Sequence, residues 1–252
     1  MMKRVVVPIT ALMIVGACSR GANEAPGAAE EAVRAQAALE RIMAMEICGD
    51  VPSDEAPFDC RLEAEGEGKP GRQLIVSFPP REGDGSSRVV RIEIADLSGE
   101  SLQVIEEEDV SGFGYPNLQD IDGDAALDLF VPLYTGNVNT TYAVYLQRGG
   151  GNYVRAGELS GLDFSYRGDG IVTASGRSSA ASWGVEYFRV ASDAFVPAAA
   201  VYVEATGVDE NNTVTGSKCT IESVTDPALA TADLCKDEAV SSIYALPEPA
   251  IE

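Results

Sequence analysis

The stretch "GFGYPNLQDIDGDAALDLFVPL" (residues 112–133) crowds acidic residues into a short loop and then continues directly into an apolar segment. Relative positions 1, 3, 5 and 9 of this loop are held by Asp120, Asp122, Asp124 and Asp128. Ca²⁺ takes six to eight oxygen ligands, and in a D-x-D-x-D loop position 7, here Ala126, supplies its backbone carbonyl. The spacing therefore predicts a calcium site formed by the four carboxylates and that carbonyl. A solvated acidic turn is the alternative.

The loop departs from an EF-hand, which needs a glutamate at position 12, where this chain has Val131. Phe113 and Gly114 precede the aspartates, and an Asp-Leu-apolar run follows them. This D-x-D-G-D-x-x-x-D pattern resembles the FG-GAP and VCBS-type repeats of β-propellers. Those repeats usually carry glycine at position 6, where the backbone takes a positive φ. Ala125 stands there instead, and its Cβ costs about 1 kcal/mol or more in that conformation.

Outside the loop, apolar residues recur at every second position from about residue 60 onwards, which predicts β-strands. The predicted strands are 72–80, 88–97, 101–108, 127–135, 141–147, 152–159, 170–177, 183–190 and 194–205. Glycine- and aspartate-rich turns separate them. Ahead of them, an alanine-rich segment from Glu30 to about Ile47 predicts a helix that ends at Gly49. We therefore expect a mainly β fold with an N-terminal helix: a small antiparallel propeller-like domain, a sandwich or a barrel.

A single copy of the aspartate loop does not support a large propeller built from many repeats. The segment from Phe113 to Glu204 instead resembles the calcium-binding periplasmic lysozyme inhibitors of bacteria. After the loop, the resemblance consists of Gly136-Asn137, Tyr142-x-x-Tyr145-Leu146, Tyr153-Val154 and Glu158-Leu159-Ser160. It implies a compact β-propeller with a structural calcium ion and a lysozyme as partner. Residues 19–112 carry no such resemblance.

The chain begins with the features of an export signal. Lys3 and Arg4 precede an apolar run from Val5 to about Val15, which is shorter than the roughly 20 residues of a transmembrane helix. The run ends in "VGAC", which resembles the lipobox of bacterial lipoproteins. That resemblance implies lipidation of Cys18, a signal peptide over 1–17 and, with Ser19 next, an outer-membrane anchor facing the periplasm. An ordinary signal peptide is the alternative.

Four cysteines remain once Cys18 is set aside, namely Cys48, Cys60, Cys219 and Cys235. Exported proteins usually pair such cysteines. Three pairings exist, and the simplest joins cysteines near in sequence, Cys48 with Cys60 and Cys219 with Cys235. A zinc site is the competing interpretation. The absence of both a C-x-x-C motif and any histidine disfavours it.

The predicted organisation follows from these features. Residues 18–29 form a polar tether, 30–60 the helix and a disulfide segment, and 61–205 the all-β domain with the calcium loop. Residues 206–252 read as a polar, disulfide-tied extension with a short helix around 226–235.

Charge and composition limit the function. The formal net charge is −22, and it becomes more negative once Lys3 and Arg4 are removed. Nucleic acid is excluded as a partner because phosphate binding needs a basic surface. Divalent cations and basic proteins suit this charge. The chain contains no histidine and no G-x-S-x-G motif, so we do not expect an enzyme.

The expected function is that of a lipid-anchored envelope protein with a structural calcium site that binds a basic cell-wall hydrolase such as a lysozyme. The turns "YTGNVNT" (134–140) and "SSAASWG" (178–184), the second with Trp183, are the candidate contact segments. A structural or glycan-binding lipoprotein is one alternative. A histidine-free hydrolase that uses carboxylates is another.

Overall fold

The computed structural model describes residues 26–49, 58–65, 71–79, 88–112, 114–211 and 213–243. The predicted signal peptide, Cys18 and Phe113 lie outside these ranges. The protein is mainly β, with three antiparallel sheets and few helices. None of the helices in the described ranges is both long enough and apolar enough to cross a membrane.

The first sheet contains β1 (Cys60–Ala64), β2 (Arg72–Ser77), β3 (Arg88–Ala95) and β4 (Ser101–Val110), paired antiparallel in that order. Alternate residues of β2 and β3, such as Leu74 and Ile92, are completely buried. They form one hydrophobic cluster with residues of the second sheet, including Leu129 and Tyr145. The period-two pattern of the sequence therefore marks the face that packs on the neighbouring sheet.

The second sheet contains β5 (Asn117–Gln119), β6 (Asp128–Thr135), β7 (Thr140–Arg148) and β8 (Asn152–Gly161), again in chain order. A short 3₁₀-helix, Gly149–Gly151, joins the last two strands. Leu129 and Val131 face the first sheet, whereas Phe130 and Val144 belong to a separate cluster on the opposite face. Both faces are buried, which explains why β6 and β7 are nearly continuous apolar runs.

The third sheet has five strands: β9 (Asp163–Gly168), β10 (Ile171–Ser179), β11 (Ser182–Ala191), β12 (Ala194–Val208) and β13 (Val214–Val224). One face contributes Val172 and Phe164 to the cluster shared with the second sheet. The other face carries the fully buried Tyr187 and is covered by Leu229, Leu234 and the rest of the C-terminal segment. The second sheet thus lies between the first and the third.

All nine predicted strands are present, with ends shifted by a few residues. The sequence patterns miss β1, β5, β9 and β13. No sheet closes on itself within the described ranges, so the barrel alternative is wrong. The structure establishes a mainly β fold of three open antiparallel sheets.

The C-terminal region differs from the prediction of a polar extension. Strand β12 continues past residue 205 to Val208, and β13 pairs along it with Cys219 opposite Val203. Most β13 side chains are exposed, so its sequence lacks the alternation that identifies a half-buried strand. In place of a single helix over 226–235 there are two 3₁₀-helices, Pro227–Leu229 and Leu234–Lys236, followed by α2 (Glu238–Ser241).

The N-terminal helix α1 spans Pro26–Met43, so it ends before the predicted Ile47. Ile42 is buried, and Ile47 forms an isolated bridge with Arg61 of β1. The chain then turns at Gly49, whose φ of 97° is readily accessible only to glycine.

The disulfides follow the local pairing. Cys48–Cys60 connects the segment after α1 to β1, and Cys219–Cys235 connects β13 to the 3₁₀-helix at Leu234. The zinc alternative for these four cysteines is therefore wrong. Each bond closes a short loop and attaches a terminal segment to a sheet edge.

The second and third sheets approach each other closely at Gly161. A Cβ built on Gly161 would lie 2.6 Å from the carbonyl oxygen of Ser175, and the next N–H, of Leu162, donates to that oxygen at 2.7 Å. Gly161→Ala is expected to lower the free energy of unfolding by about 1–3 kcal/mol because the backbones cannot separate without strain.

Gly149→Ala is the matched control, since a Cβ there meets nothing within 4 Å. It should change stability by less than about 0.5 kcal/mol. Urea unfolding of the two variants measures the difference, and equal effects would contradict the close packing at Gly161.

Candidate metal centre

The aspartate loop connects β5 to β6 at one end of the second sheet. Gly123 and Ala125 both take left-handed backbone conformations, with φ of 76° and 65°. The turn at position 6 is therefore present even though alanine occupies it. The strain of a left-handed alanine is offset by the hydrogen bonds that the loop makes around it.

Main-chain amides of the loop bind its own carboxylates. Asp120 accepts from the N–H groups of Gly123 at 2.8 Å and Ala125 at 3.0 Å, one on each oxygen. Asp124 accepts from the N–H of Ala126 at 2.7 Å. These bonds bend the loop so that its carboxylates point towards a common centre.

The side chains of Asp120, Asp122 and Asp124 each place a ligand oxygen within 4.8 Å of the others. Three carboxylates this close repel one another unless a cation neutralises them. Carboxylate oxygens are hard ligands that suit Ca²⁺, and carbonyls and water complete its coordination. The donor set thus fits calcium, and Ala126 remains the predicted carbonyl ligand.

Asp128 behaves differently from the other three aspartates, although we predict it as the fourth carboxylate ligand. It is completely buried, and its two oxygens accept from the N–H groups of Ile121 at 3.0 Å and Gln147 at 2.8 Å. Burial, together with the charges of Asp122 and Asp124, raises the pKa of Asp128 to about 7, although the two amide hydrogen bonds act to lower it. Asp128 is not part of the three-carboxylate group and instead anchors the loop to β7.

Arg148, at the end of β7, contacts the cluster and is absent from the sequence prediction. Its guanidinium lies 2.8 Å from Asp122 and 3.7 Å from Asp124, while Nε lies 2.6 Å from Asp193. Nothing in the sequence links residue 148 to a loop twenty residues earlier. The antiparallel pairing of β6 with β7 brings them together.

The third sheet also contacts the loop. The ring of Tyr166 in β9 lies so close to Gly123 that a Cβ at position 123 would overlap it. Gln119, just before the loop, donates its side-chain amide to the carbonyl of Phe164 at 2.9 Å. The cluster of Asp120, Asp122 and Asp124 therefore lies where the second and third sheets meet.

The two turns predicted as contact segments are also brought together. They line a cavity of about 540 Å³, and Asn139 exchanges two hydrogen bonds of 2.9 Å with the backbone of Arg177. Tyr134 and Val138 are exposed at 58% and 44% beside this cavity. Trp183 is half-buried, with the Arg177 guanidinium 5.3 Å from its ring centroid.

The comparisons with known proteins give little further information. No family model matches the chain, and no curated protein matches it. Among solved structures, the chain is similar to one described as a Xanthomonas type IV secretion system related protein. The match has 16% sequence identity and a TM-score of 0.43, and it covers 71% of this chain and 94% of that chain.

The different roles of Asp128 and Asp122 can be separated in the presence of a chelator. Asp128→Asn replaces an acceptor oxygen with an NH₂ group that faces a buried N–H, so it should cost about 1–3 kcal/mol of unfolding free energy. Asp122→Asn, the matched control in the same loop, should change stability by less than about 1 kcal/mol, because the loss of its ion pair with Arg148 is offset by the relief of repulsion among the three carboxylates. Chemical unfolding at pH 8 measures both, and an equal loss would contradict the anchoring role of Asp128.

Proposed function

We propose that this protein is a calcium-stabilised binding protein of the bacterial cell envelope, anchored through lipid on Cys18, whose partner is a basic cell-wall hydrolase of the lysozyme type. The observation that carries this proposal is the cluster of Asp120, Asp122 and Asp124 at the contact between the second and third sheets. The carboxylate oxygens of this cluster are ligands that suit Ca²⁺, and our proposal does not include an enzymatic activity.

The calcium ion is structural in this proposal. The aspartate loop precedes β6, whereas the turn that starts at Tyr134 comes at the other end of the same strand. Eight residues of extended strand separate the two ends by roughly 20–25 Å. A cation in the loop is thus too far away to contact a partner bound at that turn. It acts by joining strand ends and neutralising their carboxylates.

The sheet order supports a propeller-like arrangement. Each sheet consists of strands that are consecutive in the chain and pair with their sequence neighbours. Blades of β-propellers have this antiparallel order and usually four strands, as in the first two sheets, whereas the third sheet has five. We propose that the three sheets are blades of a compact propeller-like fold, as the resemblance of the aspartate loop implies.

The surface formed by the turns 134–140 and 178–184 is the proposed binding face. Tyr134 and Val138 offer exposed apolar area, and the hydrogen bonds between Asn139 and Arg177 hold the two turns in a fixed relation. Aromatic and apolar anchors on a rigid frame lose little conformational entropy on binding. The negative charge of the whole protein would attract a basic partner over longer distances.

Calcium binding is tested by thermal unfolding of the mature protein after export into a periplasm. Calcium at one hundred times its dissociation constant should stabilise the protein by about 2.7 kcal/mol relative to a chelator, a shift of several degrees. Asp122→Ala should abolish the shift. A wild-type protein with no calcium-dependent shift would contradict the metal site.

Partner binding is tested by inhibition of a basic lysozyme acting on peptidoglycan. The wild-type protein should inhibit, and Val138→Glu should weaken inhibition at least about tenfold by burying a charge in the interface. Val196→Glu is the control, because Val196 is similarly exposed at 48% but lies outside the two turns.

The other outcomes distinguish the alternatives. Binding to insoluble glycan without inhibition would favour the structural or glycan-binding lipoprotein. Turnover of peptidoglycan by the protein itself, lost when an acidic residue is replaced, would favour a hydrolase. Either result would contradict the proposed partner.

A further inference from the structure

We propose that Arg148 is an internal counter-cation that competes with calcium for Asp122 and Asp124 and thereby sets the affinity of the site. This inference rests on the calcium site of the proposed function. It adds a residue that the loop motif does not contain and a link from the metal to the third sheet.

Arg148 forms ion pairs both with the aspartate cluster and with a turn of the third sheet. Two of its nitrogens face the cluster through Asp122 and Asp124, and the third faces Asp193 in the turn between β11 and β12. The side chains of Arg148 and Asp122 are only 23% and 9% exposed. Because this pair is shielded from water, it is stronger than an ordinary surface ion pair.

Calcium and Arg148 would bind the same carboxylate group. An ion held by the cluster must take an oxygen of Asp122, the residue that Arg148 contacts at 2.8 Å. The guanidinium would then lie close to a divalent cation, and the two positive charges would repel each other. Calcium binding must therefore weaken the contact between Arg148 and the cluster.

Asp193 is a second partner of Arg148, and Arg148 can keep this contact when calcium occupies the cluster. Ser192 and Asp193 have φ of 48° and 63°, the backbone of a tight two-residue hairpin turn. The Nε of Arg148 already bonds Asp193 at 2.6 Å. Calcium loading thus shifts the charge of Arg148 from the loop on the second sheet towards the hairpin on the third.

Calorimetric titration with calcium tests the competition. Arg148→Gln should bind calcium at least about tenfold more tightly, because a nearby positive charge is gone. Asp193→Asn should bind calcium several-fold more weakly. The aspartate cluster is then the remaining ion-pair partner of Arg148 in this argument, so Arg148 competes with calcium more strongly. Asparagine tolerates the left-handed turn at position 193.

Arg155→Gln is the matched control. Arg155 forms its ion pairs with Glu107 and Glu158, away from the loop. The calcium affinity of the Arg155→Gln variant should remain within about twofold of the wild-type value.

Thermal unfolding in chelator provides a readout that is independent of calcium. Arg148→Gln should lose several degrees at low ionic strength, since three crowded carboxylates lose their counter-cation. Added calcium should restore this loss. A variant as stable as the wild type in chelator would overturn the counter-cation role.

The titrations separate the two proposals. If the wild type binds calcium and Arg148→Gln binds with equal or lower affinity, the competition is overturned while the metal site stands. If Arg148→Gln binds calcium and the wild type does not, the competition is supported and the calcium-stabilised function is overturned. If neither binds, both are overturned.

Discussion

Burial of the second sheet on both faces is the constraint on which the rest of the structure depends. Leu129 and Val131 pack against the first sheet, and Phe130 and Leu146 pack on the side of the third. The inner strands β6 and β7 are therefore largely enclosed, and polar groups that contact solvent or ions lie mainly at their ends. The acidic loop at one end of β6 and the turn at Tyr134 at the other are consistent with this.

The buried carboxylate of Asp128 connects that packing to the aspartate cluster. It binds the amides of Ile121 and Gln147, so the loop entrance and β7 are held by one group. The next residue along β7, Arg148, then reaches the cluster. Asp128 positions both the carboxylates and the arginine that neutralises them. A loop in which Asp128 did not bind these two amides would not be held in this position against β7.

The electrostatics of the site also connect two sheets. Arg148 belongs to the second sheet and Asp193 to a hairpin of the third, while Tyr166 of the third sheet lies against Gly123. A cation bound here would act on the contact between sheets and not on the exposed turns some distance away. This separation of the aspartate cluster from the proposed binding face is compatible with the recognition role that we propose.

The sequence by itself determined the mainly β class and the nine most regular strands, because each depends on residues close together in the chain. It also favoured the local disulfides over the other two pairings and placed four aspartates in one loop, three of which cluster in the structure. Only the tertiary structure decided the roles of Asp128 and Arg148. The role of Asp128 depends on its burial beneath β7, and the role of Arg148 depends on strand pairing and on a distant hairpin. Strand β13 also required the structure, since an exposed edge strand is held by backbone pairing to β12 and carries no apolar alternation.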